Sequence, residues 1–350
     1  MEYAWGSSDL LADLLGIETP NHPIAEVWFG THKTSPAKVL DAENGTLLER
    51  QGELSYLVKF LSAASPLSIQ AHPTKDRAFR QFSKTNPSYS DANHKPEILI
   101  ALTPFRALCG FRPKTETLTD LQALSQASPQ LTPLLEEFQA AGYQAAMNWI
   151  YQADDSSVLA LVANATSLGR SRARLVESLH EAYPLDRGIL VSVLMNLVTL
   201  SPGEAIYLPA GNIHAYLEGL GVEAMAASDN VLRGGLTSKR IDVKELLQVL
   251  DYSELREPRV KVKKITSAIT KYPIGVEDFE VYGLSVSPSS LIIDVKFENT
   301  AILVCTSGYL EVSTSKDEML RLKKGEAAFI SDARLFSCGG SGDGFLVTGS

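Results

Sequence analysis

The chain has 350 residues, 45% of them hydrophobic and 21% charged, a balance ordinary for a globular protein long enough for two or three domains and a substantial core. Its net charge of −9 offers no basic field to recruit nucleic acid, so an anionic ligand would need a local cluster of Lys and Arg. No apolar run approaches the roughly 20 residues of a membrane span. The first residues lack the basic and apolar regions of a signal peptide, and three cysteines without a CxxC spacing read as reduced thiols. The expected location is the cytoplasm.

In chain order, residues 1–111 carry short strand-like segments broken by Pro, Gly and Asn. Leu54, Tyr56, Val58 and Phe60 alternate, and residues 25–29 form another apolar stretch. Leu67, Ile69 and Ala71 alternate with Ser68, Gln70 and His72, which predicts a strand with Gln70 and His72 on one face. Residues 74–93 are polar, with one short helix over 75–83 and then a loop. From about 115 to 197, Leu118, Leu121, Leu124, Leu134, Leu135, Phe138, Leu175, Val176, Leu179, Val193, Leu194 and Leu197 recur at helical spacing, predicting an insertion of four to six helices. Strand texture is expected to resume at Gly203 and run to Met225, followed by a helix over 242–251 and a β-rich stretch, 259–350, that includes a strand over 291–297. Gly325-x5-Ser331-x-Ala333-x2-Phe336 echoes Gly203-x5-Pro209-x-Gly211-x2-His214 at a constant offset of 122.

The stretch from 66 to 97 carries the chemistry. Neutral imidazole and carboxylate oxygens are good zinc ligands, so His72 and Glu97 are candidates, with Gln70 a weaker one. His214 follows a turn that Pro209 and Gly211 set up. The Gly-x5-Pro-x-Gly-x2-His spacing resembles the second motif of the cupin barrels, double-sheet jelly rolls that hold one metal on inward-pointing side chains. With Gln70-x-His72-Pro73, His94-Lys95-Pro96-Glu97 and His214-Ala215-Tyr216, the pattern resembles type I mannose-6-phosphate isomerase. Tyr3-Ala4-Trp5-Gly6, Glu26-Val27-Trp28-Phe29-Gly30-Thr31-His32, Gly110-Phe111-Arg112-Pro113 and the run from Asp229-Asn230 through Arg233-Gly234-Gly235 to Lys239 extend the likeness.

The resemblance implies a mainly β chain with a helical insertion. Its parts are a cupin (jelly-roll) metal barrel from 1–111 plus 198–258, an all-α inserted domain at 112–197, and a second, degenerate jelly roll at 259–350. It implies one Zn²⁺ per chain on Gln70, His72, Glu97 and His214, with zinc as a Lewis acid while a positioned base moves a proton between C1 and C2 of a sugar phosphate. The motifs leave the base open among His94, Lys95, Asp229 and Arg233. Arg233 could instead steady an oxyanion, and Ser68 and Lys239 are candidates for binding phosphate, with Glu223 a polar pocket residue. Nucleic acid and membrane are not expected as partners, and the chain is expected to be a monomer or weak homo-oligomer. A cupin iron oxygenase and a non-catalytic sugar-binding paralogue are the competing readings.

Overall fold

The computed structural model describes residues 1–40, 45–296, 300–314, 319–331 and 336–349. The chain opens with α1 (Leu10–Leu15), closed by Gly16 in the left-handed region at φ 65°. Strand β1 (Glu26–Phe29) and helix α2 (Leu47–Gln51), started by a Thr46/Glu49 capping box, lead into β2 (Tyr56–Ala63) and β3 (Ile69–Ala71). Then come α3 (Lys75–Phe82), β4 (Glu97–Ala101) and β5 (Phe105–Phe111). The helical stretch comprises α4 (Lys114–Ala127), α5 (Thr132–Gln152, kinked at Ala141 and Gly142), α6 (Asp155–Ala163), α7 (Arg170–Ala182) and α8 (Gly188–Leu194). Strands β6 (Met195–Leu200), β7 (Ala205–Leu208), β8 (His214–Ala226) and β9 (Leu232–Gly235) follow, then α9 (Val243–Val249), which Asp242 caps by accepting from the Glu245 N–H.

Strand β6 departs from the sequence expectation, which carried the helical spacing through Leu197 and resumed strands only at Gly203. All seven residues of α8 are buried, and the chain turns to extended backbone at Met195 (φ −102°, ψ 151°). A fully buried helix running straight into a strand has no polar face to mark the change of period.

Strand β8 organises the first sheet system. Over its later half it pairs with β2 and β4, giving the order β1-β2-β8-β4-β7; over its first half it pairs with β3 and β5, giving β6-β5-β8-β3-β9. The strand passes from one layer to the other at Gly219, where φ is +130° and a Cβ would lie 2.6 Å from the Phe105 ring and 2.8 Å from the Pro104 carbonyl. Only glycine fits a corner that tight. Leu61, Leu99, Phe105, Ala107, Cys109, Ile206 and Tyr216 pack between the two layers. The outer faces are covered as well, which is why β2 is buried at all eight positions. Helices lie against Ile69, Leu108, Ala215 and Leu232 on one side. On the other, Val58, Phe60, Ile100 and Val222 meet Phe279, Val281, Ile302 and Val347 of the C-terminal sheet.

That sheet holds β10 (Lys263–Lys264), β11 (Ile269–Tyr272), β12 (Phe279–Val286), β13 (Ile292–Val295), β14 (Ala301–Thr314), β15 (Met319–Lys323), β16 (Ala327–Ile330) and β17 (Phe336–Gly349), in the order β10-β11-β12-β17-β14-β15 with β13 on β17 and β16 on β14. The sequence echo is structural. Strands β7 and β16, and the starts of β8 and β17, are separated by the same 122 residues. Gly203 and Gly325 share φ values of +86° and +87°. Glu204 accepts from the Ser201 N–H at 2.7 Å as Glu326 does from Lys323 at 2.8 Å. Phe336 stands where the first system has His214, and Ala301, in register with Ile330 as Glu97 is with Leu208, stands where it has Glu97. Ala333, within the echo, and Phe297, at the end of the expected strand 291–297, lie outside the described residues.

Candidate metal centre

Three elements deliver the ligand cluster. Glu97 opens β4, His214 opens β8, and His72 follows β3 by one residue, with Pro73 ending the strand. All three are buried, and a nitrogen of each imidazole and an oxygen of the carboxylate lie within 4.8 Å of one another. His72 Nε2 and His214 Nε2 are each 3.4 Å from Glu97 Oε2. Each ring is oriented from behind: His72 Nδ1 lies 2.7 Å from the Asn230 carbonyl and His214 Nδ1 3.0 Å from the Asn212 carbonyl. A carbonyl only accepts, so both Nδ1 atoms carry the proton and both Nε2 atoms present lone pairs. His72 Nε2, Glu97 Oε2 and His214 Nε2 are thus buried acceptors aimed at one point, with no hydrogen bond to any of them. Three acceptors without a donor are a costly arrangement that a cation resolves, and the donor set, two imidazoles and a carboxylate without thiolate, suits an open catalytic site.

The electrostatics agree. Burial, opposed by Glu97 and reinforced by Lys95 and His214, pushes His72 down to about 4, so its ring is neutral near pH 7. Burial would raise the Glu97 carboxyl, but Lys95 and His72 outweigh it and hold it well below the usual carboxylate range. Lys95 Nζ sits 2.8 Å from Glu97 Oε1, leaving Oε2 for the cation.

Register places the remaining predicted residues. Gln70 lies opposite His214 and opposite Arg233; directly opposed residues of antiparallel strands share a face, so all three point the same way. Gln70 and Arg233 are half-buried, and no ion pair engages Arg233 among the described residues. Glu223 is buried, 3.0 Å from Lys59 Nζ and accepting from the Tyr216 hydroxyl at 2.8 Å. Asp229 is 56% exposed and lies 3.0 Å from His32 Nε2. Ser68 is half-buried just ahead of β3, which is shorter than the predicted strand, and Lys239 is exposed. His94 turns away: its Nε2 meets Asp278, in the loop before β12, at 2.8 Å.

Three residues escaped the sequence reading. Lys59 is buried between Glu26 at 3.2 Å and Glu223 at 3.0 Å, beneath the Trp28 ring. Burial would depress its ammonium, but Glu223 and Glu26 outweigh burial and raise it. A lone lysine inside the apolar run Tyr56-Leu57-Val58-Lys59-Phe60-Leu61 was the available signal. Asn230 is wholly buried; besides holding His72, it accepts from the Ser90 N–H at 2.8 Å and donates to the Asp91 and Asn93 carbonyls at 2.9 and 2.7 Å. His32 lay in a quoted motif, but its partner Asp229 is 197 residues away.

The run Arg233-Gly234-Gly235 also docks the helices. A Cβ on Gly235 (φ +142°) would lie 2.5 Å from the Gly188 Cα, so the start of α8 reaches β9 only because both residues are glycine. Tyr151 donates to the Gly234 carbonyl at 2.7 Å, and Asp186 accepts from the Leu236 N–H at 2.8 Å.

A double sheet gathering two imidazoles and a carboxylate at one buried point defines a mononuclear metalloprotein. Residues 1–114 match the family described as phosphomannose isomerase type I, catalytic domain. The chain is 35% identical to mannose-6-phosphate isomerase of Escherichia coli (strain K12), over 94% of this chain and 92% of that one. To the Homo sapiens mannose-6-phosphate isomerase it is 36% identical, over 72% and 71%. Among solved structures, a mannose 6-phosphate isomerase bound with zinc and yttrium superimposes with a TM-score of 0.91 at 32% identity, covering 100% of this chain and 97% of that one. The chain belongs to the type I phosphomannose isomerase family.

Proposed function

We infer that this chain is a zinc-dependent aldose–ketose isomerase interconverting mannose 6-phosphate and fructose 6-phosphate, and that His72, Glu97 and His214, with Gln70, hold the metal. The observation that carries the reading is the convergence of three buried polar atoms on one point, none of them with a hydrogen-bond partner. Zinc held there supplies Lewis acidity toward the sugar oxygens. The alternatives, an iron oxygenase or a non-catalytic sugar-binding paralogue, have no observation in their favour, because no residue of the ligand set is missing.

Isomerisation breaks the C2–H bond, forms a C1=C2 enediol as O1 gains a proton, then returns a proton to C1 as O2 gives one up. Of the four candidate bases, Arg233 carries a guanidinium, whose planar fork of donors is suited to an oxyanion. Lys95 is committed to Glu97 and His94 to Asp278. Asp229 is accessible and, among the described residues, its carboxylate is bound by the His32 side chain alone, so we assign it the proton transfer and Arg233 the developing charge or the phosphate. Lys59, Glu26 and Glu223 form the charged wall on which the sugar hydroxyls bind, with Ser68 and Lys239 in weaker positions for phosphate.

The same reading makes the first sheet system a cupin jelly roll from 1–111 plus 198–258, with 112–197 the helical insertion and 259–350 a duplicated jelly roll without ligands. The Gly203/Gly325 and Glu204/Glu326 correspondences support it.

Fructose 6-phosphate formation from mannose 6-phosphate, followed on chelated protein before and after zinc addition, tests the function. Turnover vanishes with chelation and returns with zinc; folded protein that is inactive with every divalent metal would remove the isomerase reading. Asp229→Asn is expected to lower kcat by about 10²–10⁴-fold with zinc retained.

A further inference from the structure

We propose that His32 is a positioning residue for Asp229, holding an exposed carboxylate from a sheltered ring so that it faces the substrate in one orientation. The proposal rests on the assignment of proton transfer to Asp229.

The geometry starts at Gly30, just beyond β1, whose φ of +156° lets the chain turn where a Cβ would lie 2.8 Å from the Leu57 side chain. The turn brings His32 under Trp28, the two rings meeting edge-on at 4.7 Å. Trp28 is itself fixed by donating from Nε1 to Glu26 Oε2 at 3.2 Å. The Thr34 N–H reaches His32 Nδ1 at 3.3 Å. A backbone N–H only donates, so Nδ1 is the acceptor and the neutral ring carries its proton on Nε2. That proton is directed at Asp229, both of whose oxygens lie within reach at 3.1 and 3.0 Å. The His32 side chain is 15% exposed against 56% for Asp229, so the donor is held by packing while the acceptor stays open to a ligand.

The segment bearing Asp229 is fixed independently of His32. Ser228 donates to Asp91 at 2.9 Å, the Asp229 N–H donates to Asp91 at 2.8 Å, and the Asn230 side chain grips residues 90–93. The Asn230 carbonyl that orients His72 therefore keeps its place without His32, whereas the Asp229 carboxylate has no other side-chain partner among the described residues. Loss of His32 frees one carboxylate and leaves the metal cluster intact. A side chain held in one rotamer next to substrate presents its lone pair at the reacting atom a larger fraction of the time, and misplacement by about 1 Å costs as much as 10²-fold in rate.

The test uses the full zinc-loaded chain with His32→Ala, His32→Gln, Asp229→Asn and the double variant His32→Ala/Asp229→Asn. We read kcat, KM for mannose 6-phosphate, zinc per chain and the thermal midpoint. His32→Ala should lower kcat by about 10–10²-fold, with KM and zinc content little changed. His32→Gln, whose amide N–H₂ falls near the Nε2 position, should recover most of that loss. In the Asp229→Asn background His32→Ala should cost nothing further, a coupling that a merely structural role would not produce. The proposal is overturned if His32→Ala turns over normally while Asp229→Asn is slow, if the two losses multiply, or if zinc leaves with His32. Asp229→Asn working at the parent rate would instead remove the assignment of Asp229 itself.

Discussion

Replacing Lys59 by methionine should cost the protein a large share of a typical margin of stability, and should do so in a pH-dependent way. Methionine matches the length of the aliphatic stem, so the change removes the ammonium and little volume. What remains is Glu26 and Glu223, whose side chains are 9% and 4% exposed and which stand 3.2 and 3.0 Å from the lost nitrogen. Removing one partner of a buried ion pair costs about 3–5 kcal/mol because the other charge is left uncompensated. The carboxylates limit that cost by taking up a proton, and Glu223, whose burial already raises its carboxyl against the opposing pull of Lys59, is the group to do so. Its folded-state pKa then lies well above the unfolded value, so the folded variant binds more protons than the unfolded chain and loses stability as pH rises. Each unit of pH above the unfolded carboxyl range lowers its stability by about 1.4 kcal/mol until the folded pKa is passed. Urea unfolding of the parent chain and Lys59→Met at pH 6, 7 and 8 reads this directly. We expect a gap of about 3–5 kcal/mol at the highest pH that narrows on acidification, and Lys59→Met/Glu223→Gln should close part of it at pH 8. A gap below about 1 kcal/mol, the range of an exposed pair, or one that does not change with pH, would refute the reasoning.

Other expectations follow from the same geometry. Asn230→Ala removes the five bonds made by a wholly buried amide and loosens the segment whose carbonyl fixes His72; zinc affinity by competition with a chromophoric chelator should fall about 10–10²-fold. Gly235→Ala should destabilise by about 2–4 kcal/mol by calorimetry, because the new methyl meets the Gly188 Cα and the φ of +142° disfavours any Cβ. Chelation should lower the thermal midpoint as well as abolish turnover, and zinc at about 100 times its Kd should restore about 2.7 kcal/mol.

The convergence of His72, Glu97 and His214 was legible because punctuation residues surround them. Pro73 closes β3 beside His72, Pro96 precedes Glu97, and the turn at Pro209 and Gly211 presents His214. Helical periodicity was equally readable through α4 to α7, whose outer faces are polar. It failed at β6, where the fully buried α8 passes directly into a strand. What orients the residues of that cluster was not legible. Asn230 reaches His72 across 158 residues through its carbonyl, which every residue possesses. His94 looked catalytic beside Lys95 and Glu97, yet its partner is Asp278, 184 residues away. Spacing along a chain reports the geometry of one turn; hydrogen bonds between distant segments exist only once the sheets have closed.

The apolar outer face of β2, β4 and β8 has a consequence for anyone wishing to shorten this enzyme. Tyr56, Val58, Phe60, Ile98, Ile100, Val222 and Ala224 have no water-facing substitute for the C-terminal sheet that covers them. Cutting the chain just before the C-terminal sheet would keep His72, Glu97, His214 and the Asn230 carbonyl that orients His72, and would uncover a broad greasy plane. Such a fragment would meet other copies of itself sooner than it met substrate. The C-terminal sheet, which carries Phe336 and Ala301 where the first system has His214 and Glu97, is thereby kept in the molecule as the permanent cover of its neighbour.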